Sequence, residues 1–150
     1  MHRLYEDEDI TVFWDSEKCR HEKKCVRGSP RVFEFGRRPW IDLSKGETAK
    51  TWQTITSCPS GALSVVYNHG ITICMDEEQK RCLALLGDAV IGECDFSDEG
   101  DSRNIYHTEV SPEYGGKGIA KRLVYKVTEA GERKGLKAAP TCSYAVKILG

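Results

Sequence analysis

The stretch that most constrains the fold is Ser111–Lys121, which reads SPEYGGKGIAK and contains three glycines. It follows an alternating pattern at residues 104–110 that predicts a strand, and it precedes an apolar stripe that predicts a helix. Backbone N–H groups in such a turn, together with the unpaired donors of the helix N-terminus, are typical of a phosphate site. A glycine-rich bend without a ligand is the alternative interpretation.

The charge balance argues against a nucleic-acid partner. Residues 1–75 carry 11 Lys and Arg against 10 Asp and Glu, and residues 76–150 carry 11 against 13, so neither half has the basic excess that binding to a phosphate backbone needs. No apolar run approaches the roughly 20 residues of a membrane span, and the acidic N-terminus differs from a signal peptide. We therefore expect a cytoplasmic protein with no nucleic-acid and no membrane partner.

The cysteines indicate metal or thiol chemistry, because seven is an odd number in a chain without an export signal. Cys19 and Cys25 are separated by five residues, and Cys58 is followed by proline. Bacterial iron–sulfur sites use three cysteines two residues apart and a distant fourth before proline. Here the middle position is Glu22, next to His21. A [4Fe-4S] cluster with Glu22, His21 or water on one iron, a [3Fe-4S] cluster, zinc, and buried structural thiols all remain open, with zinc disfavoured because Cys-x2-Cys is missing.

Several motifs in the first half together resemble the divergent single-cluster iron–sulfur domain related to monocluster ferredoxins. They are Trp14-Asp15, Cys19-x-His21-x3-Cys25-Val26, Val32-Phe33, Pro39-Trp40-Ile41 and Cys58-Pro59-Ser60-Gly61-Ala62-Leu63. The resemblance covers about residues 8–67. It implies an α+β, ferredoxin-like domain at residues 1–70 that holds one cluster at Cys19, Cys25 and Cys58, with His21 as a ligand or as a neighbouring donor.

In the second half, the sequence predicts a hairpin around Gly87-Asp88, between strands at residues 81–86 and 89–95. A regular register would set Cys82 opposite Glu93 and Cys94 opposite Arg81. These two thiols, and Cys74 with them, are therefore interpreted as structural. Alternation over residues 104–110 predicts that Ile105, His107 and Glu109 share one face of a strand.

A helix is predicted from Ile119 to Lys134-Gly135, and the final segment would place Cys142 and Tyr144 on one face if it were a strand. The second half resembles the very small single-core family of the GNAT N-acetyltransferases. The matching motifs are Gly92 on a hairpin strand, His107-Thr108-x-Val110, Gly116-x-Gly118-Ile119-Ala120-x-x-Leu123 and Pro140-x-Cys142-Ser143-Tyr144.

That resemblance implies a domain at residues 71–150, with a minimal mixed sheet and one long helix, that uses acetyl-CoA. At Glu113 the sequence departs from the superfamily, which has Gln or Arg there, and its charge would repel pyrophosphate unless it turned outward. The residues implied to bind CoA are Val110, Tyr114, Gly115, Gly116, Lys117, Gly118, Ile119, Ala120 and Lys121.

The implied catalytic residues are Cys142 as an acetyl-accepting nucleophile, His107 as its base and Tyr144 as the acid for the CoA thiolate. Each could instead be a packing residue. The first hypothesis is an acetyltransferase that acts on a small-molecule or protein amine, with a structural or redox-sensing cluster. The second is a ferredoxin-like electron-transfer or redox-sensor protein with a redox partner, whose second domain binds CoA or a partner without catalysis.

Overall fold

The computed structural model describes residues 2–15, 31–33, 41–45, 48–56 and 62–149. The chain divides into two compact units, Arg3–Asn68 and His69–Gly150. Within the described ranges, no helix is both long and apolar enough to cross a membrane.

The first unit contains a three-stranded sheet in the order β1-β2-β3. β2 and β3 pair antiparallel, from Ile10 opposite Tyr67 to Trp14 opposite Leu63. Ser44 lies in a short 3-10 turn before the first helix and donates its hydroxyl to Asp42. The elements are β1 (His2–Glu6), β2 (Ile10–Asp15), the 3-10 turn (Leu43–Lys45), α1 (Thr48–Thr56) and β3 (Leu63–Tyr67).

The second unit is a five-stranded mixed sheet in the order β4-β5-β6-β7-β8. Adjacent strands run antiparallel except β7 and β8, which are parallel, so the predicted mixed sheet with one long helix is confirmed. Leu123, Val124 and Val127 of that helix are fully buried against the sheet. The elements are β4 (Thr72–Asp76), β5 (Arg81–Leu86), β6 (Ala89–Glu99), β7 (Ser102–Val110), α2 (Ile119–Arg133), β8 (Lys137–Ala138) and α3 (Ser143–Leu149).

The predicted register of the hairpin around Gly87-Asp88 is wrong by one residue beyond its first two pairs. Leu86 pairs with Ala89 and Leu85 with Val90, as expected, but Ala84 pairs with Gly92. Ile91 is therefore an extra residue on β6, a β-bulge that moves every later pair. As a consequence Cys82 lies directly opposite Cys94, and both side chains are fully buried.

A second bulge overturns the predicted faces of β7. Asp95 pairs with His107 and Phe96 with Ile105, so Tyr106 is the extra residue. Ile105 is buried, Tyr106 and His107 are both exposed, and Thr108 is buried again. His107 therefore does not share the face of Ile105, and Thr108 takes the inward position.

The last segment is a helix rather than the strand considered from the sequence. β8 contains only Lys137 and Ala138, after which the chain continues into α3. The amides of Thr141 and Cys142 both donate to the carbonyl of Ile105, at 3.1 Å. Cys142 thus lies at the start of α3, where its carbonyl accepts the first helical bond, from Val146.

Arg103 is one of two arginines buried in the core of this unit, the other being Arg122, and 2% of its side chain is exposed. Its guanidinium donates two bonds to Asp98, at 2.7 and 3.0 Å, and two to Glu77, at 3.1 and 3.0 Å. It also lies 4.2 Å from the ring centre of Phe96. The charge is therefore paired on both sides, which a buried guanidinium requires.

The ion pair predicts an acid-sensitive fold. Hydrogen bonds from Arg103 lower the pKa of Asp98 from 3.8 to about 2. Since the folded pKa is depressed, the stabilisation is present above pH 4 and is lost as the pH falls toward 2. We expect Asp98→Asn to lower the free energy of unfolding at pH 7 by about 2 kcal/mol and to flatten its pH dependence between pH 4 and 2. Denaturant unfolding followed by circular dichroism measures both; Asp101→Asn, an exposed neighbour, is the control that should change neither.

Candidate acetyl-transfer site

The predicted metal ligands Cys19, His21, Glu22, Cys25 and Cys58 lie outside the described residues. Their assignment as a cluster site stays a prediction. The described part of the candidate site lies in the second unit, where the turn before α2 and the start of α3 both follow strands of the mixed sheet.

The glycine-rich turn has the backbone geometry that an anion site needs. Gly116 and Gly118 have φ of 76° and 73°, in the left-handed region that favours glycine. Gly118 is the N-cap of α2 and its carbonyl accepts the bond from Arg122. The first amides of a helix, which in α2 include those of Ile119 and Ala120, have no acceptor one turn earlier in the helix and point toward its N-terminal end. With 15 residues, α2 contributes a helix dipole that favours negative charge there.

The remaining residues predicted to bind CoA surround this turn. Tyr114 ends a short 3-10 turn (Pro112–Tyr114), and Gly115 donates its amide to Pro112 at 3.2 Å. Lys117 is half-buried, and the ammonium of Lys121 lies 5.5 Å from the ring centre of Tyr125. The charge that the sequence sets against phosphate, Glu113, is exposed.

A pocket of about 220 Å³ lies where β6 begins and β7 ends. It forms at the first bulge, where the amide of Ser111 donates to the carbonyl of Ile91 at 2.8 Å. Glu93 and Glu109 line it with carboxylates. Val110, the predicted contact for the pantetheine arm, is half-buried and packs against the core beside this pocket.

Cys142 occupies a polar setting although its thiol is half-buried. Its Sγ lies 3.5 Å from Oγ1 of Thr108. Burial alone would raise the pKa of Cys142, but hydrogen bonds from the Thr108 hydroxyl and from the backbone amides of Ala145, Tyr144 and Thr108 lower the pKa below its usual value. A thiol with such a pKa ionises more readily than a free cysteine, which makes it a better nucleophile at neutral pH.

A second thiol lies on the other side of the same hydroxyl. Oγ1 of Thr108 is 3.6 Å from Sγ of Cys94. Burial raises the pKa of Cys94 to about 12, so this thiol is protonated at neutral pH. Thr108 therefore lies between a thiol that ionises more readily than usual and one that ionises less readily.

The other two predicted catalytic residues are not in this cluster. His107 is exposed, and its Nε2 lies 3.8 Å from Glu93 and 3.5 Å from Glu109. Tyr144 is 56% exposed in the first turn of α3. The hydroxyl that contacts Cys142 belongs to Thr108, which the sequence interpretation missed although it stands in the same motif as His107. The sequence feature that could have identified Thr108 is its hydroxyl, which stands one residue after the predicted base His107.

Sequence models of two families match the chain. Residues 5–68 match the family described as a divergent 4Fe-4S mono-cluster. Residues 82–150 match the family described as GCN5-related N-acetyltransferase. An uncharacterized protein named YjdI from Escherichia coli K12 is 38% identical over 68 residues, which are 45% of this chain and 87% of YjdI.

Two solved structures resemble the chain. A GCN5-like protein from Staphylococcus aureus is 30% identical with a TM-score of 0.42, over 52% of this chain and 76% of that chain. A GCN5-related N-acetyltransferase from Sphaerobacter thermophilus is 18% identical with a TM-score of 0.42, over 91% of this chain and 36% of that one. Both TM-scores are below 0.5.

Proposed function

We propose that this chain, which belongs to the divergent 4Fe-4S mono-cluster family through residues 5–68 and to the GCN5-related N-acetyltransferase family through residues 82–150, transfers acetyl groups from acetyl-CoA to an amine. The acceptor would be a small-molecule or protein amine. The observation that carries the proposal is the environment of Cys142, a thiol with a lowered pKa hydrogen-bonded to Thr108.

The turn before α2 supports binding of the CoA pyrophosphate. Two left-handed glycines are typical of an anion-binding turn, and the helix dipole favours an anion at that end. Lys117 and Lys121 would add positive charge, and the exposed position of Glu113 lets its carboxylate stay in solvent. Acetyl-CoA supplies the activated acyl group, and the backbone near Val110 would guide the pantetheine arm.

The transfer would proceed in two steps on Cys142. Its thiolate attacks the thioester carbonyl, the new S–C bond forms, and the bond to the CoA sulfur breaks. The CoA thiolate leaves and takes a proton from Tyr144 or water. A neutral amine then attacks the acetylated Cys142, an N–C bond forms, the Cys142 thiolate leaves, and water takes the amine proton. His107 has no part in these steps, because its contacts are with Glu93 and Glu109.

The first domain would hold the iron–sulfur cluster. Cys19, Cys25 and Cys58 would be its thiolate ligands, with His21, Glu22 or water at the fourth position, in a [4Fe-4S] or a [3Fe-4S] form. Acetyl transfer moves no electrons, so the cluster would have a structural or redox-sensing role. A sensing role requires a redox partner, and both activities suit the cytoplasm.

An alternative function is electron transfer or redox sensing, with a second domain that binds CoA or a partner without catalysis. The specific observation in its favour is Glu113, an acidic residue in the turn that would hold pyrophosphate.

One preparation tests both functions. The full chain, purified without oxygen, is analysed for iron and sulfide and then incubated with acetyl-CoA and a panel of amines while released thiol is followed. Turnover supports the acetyltransferase, whereas a reducible cluster with CoA binding and no turnover supports the alternative.

The CoA site can be tested with two matched glycine variants. Gly116 and Gly135 both have left-handed φ, at 76° and 82°, and a Cβ at either position would meet nothing within 4 Å. Both changes to alanine should therefore cost a similar amount of stability, about 1 kcal/mol. We expect Gly116→Ala to weaken CoA binding, measured by calorimetry, at least about tenfold because the turn deforms. Equal affinities for the two variants would contradict the placement of the pyrophosphate.

A further inference from the structure

We propose that Thr108 and Cys94 are positioning residues that stabilise the thiolate of Cys142 through a hydrogen-bond relay. The relay extends the proposed function, since it concerns the thiol assigned there as the nucleophile. Its evidence is a continuous row of three polar atoms within the second unit. Sγ of Cys142 lies 3.5 Å from Oγ1 of Thr108, and that oxygen lies 3.6 Å from Sγ of Cys94.

The relay has two directions, because a hydroxyl has one hydrogen and two lone pairs. While Cys142 is protonated, its S–H donates to Thr108, and the Thr108 hydroxyl donates to Cys94. When Cys142 loses its proton to solvent, the Thr108 hydroxyl turns and donates to the thiolate. The S–H of Cys94 then donates to the Thr108 oxygen. No proton passes along the row, and every polar atom keeps a partner in both states.

Burial makes Cys94 a suitable end for this relay. Its thiol is fully buried in the apolar cluster under α2, where the first bulge places Cys82 directly opposite it. The pKa of about 12 keeps it a donor across the working pH range. A negatively charged group in the place of Cys94 would instead repel the thiolate of Cys142, because two like charges in a buried site destabilise each other.

The ionisable groups around Cys142 come from three elements. The ionisable groups on β7 are exposed and are the sequence neighbours of the inward Thr108, and those on α3 are exposed as well. Solvent and salt screen their charges, which weakens their effect on the thiol of Cys142. On β6 the thiol of Cys94 is uncharged at neutral pH and reaches Cys142 through the Thr108 hydroxyl. The groups are Cys94 on β6, His107 and Glu109 on β7, and Tyr144 and Lys147 on α3.

The test measures the thiol itself rather than acetyl transfer. The full chain is alkylated with iodoacetamide between pH 5 and 10, and the rate at Cys142 is read from the mass of its peptide. Thr108→Val removes the hydroxyl and keeps the shape of the side chain. We expect it to raise the pH midpoint of alkylation by about one unit and to slow the reaction at pH 7 about tenfold. Thr108→Ser should restore both values.

Cys94→Ala should raise the midpoint in the same direction by less, because the Thr108 hydroxyl remains. Thr128→Val is the matched control. Thr128 is buried in α2 and its hydroxyl has no hydrogen-bond partner among the described residues, so its loss should leave the midpoint unchanged. Melting curves check that every variant is folded.

An unchanged midpoint in folded Thr108→Val would overturn the relay, and so would a Thr108→Ser variant that behaves like valine. An unchanged midpoint in Cys94→Ala would remove Cys94 from the relay. The result is independent of the proposed function. A chain that shows these shifts but never acetylates an amine would refute the acetyltransferase and retain the relay.

Discussion

Cys142→Ala is expected to lower acetyl transfer by about 10³-fold or more, while CoA binding stays within about twofold. The reason is that alanine removes the atom that would accept the acetyl group, whereas the proposed pyrophosphate turn lies on a different element, before α2. Steady-state release of thiol from acetyl-CoA measures the first quantity, and calorimetric titration with CoA measures the second. A mass increase of 42 Da on the Cys142 peptide, the mass of one acetyl group, would identify the intermediate directly.

The control for this change is Cys74→Ala. Cys74 is an exposed free cysteine on β4, so its loss tests the general effect of removing a reactive thiol. It should leave transfer unchanged. Full activity in Cys142→Ala would exclude the two-step route. Direct attack of the amine on acetyl-CoA would then remain as the mechanism.

Arg103→Met is expected to lower the free energy of unfolding of the second unit by about 3–5 kcal/mol. Methionine fills much of the space, but it leaves the carboxylates of Glu77 and Asp98 without the guanidinium that pairs them. It also removes the contact with the ring of Phe96. The three tryptophans of the chain all precede residue 69, so tryptophan fluorescence reports the first unit. Native-state hydrogen exchange of β7 amides reports the second unit separately.

Arg133→Met provides the comparison. Arg133 is 63% exposed and pairs with Glu129 one turn away, at 3.2 Å. Such a surface pair contributes at most about 0.5 kcal/mol, so the two arginine changes should differ severalfold in effect. A loss of under 1 kcal/mol for Arg103→Met would mean that the buried ion pair is replaceable by packing alone.

Local patterns predicted much of the fold. The hairpin around Gly87-Asp88, the strand over residues 104–110 and the helix from Ile119 follow from turn residues and apolar periodicity, and the structure confirms them. The bulges at Ile91 and Tyr106 could not be predicted, because neither residue differs from its neighbours in strand propensity. Gly131 is similar. Glycine weakens a helix by about 1 kcal/mol relative to alanine, but here the side chain of Arg103 packs against Gly131, 3.0 Å from where a Cβ would lie.

The candidate site was predictable in part for the same reason. The glycine turn and the cysteine at 142 stand out because their residue types carry chemistry. The neighbours of Cys142 depend on register, and register was the quantity that the sequence could not supply. Two exposed residues in a row, Tyr106 and His107, turn Thr108 toward the thiol and the imidazole away from it.

The extra residue on β7 also bears on how relatives of this chain should be aligned. If β7 had the same number of residues but paired with β6 without a bulge, the imidazole of His107 and the hydroxyl of Thr108 would exchange faces. Loss of Tyr106 alone would keep both faces as they are, since it occupies a position in the chain but none in the ladder. A one-residue deletion at Tyr106 would therefore keep Thr108 facing Cys142, whereas a deletion between Tyr106 and Thr108 would turn Thr108 to the other face. The hydroxyl beside Cys142 thus depends on the number of residues in β7 as well as on their identity.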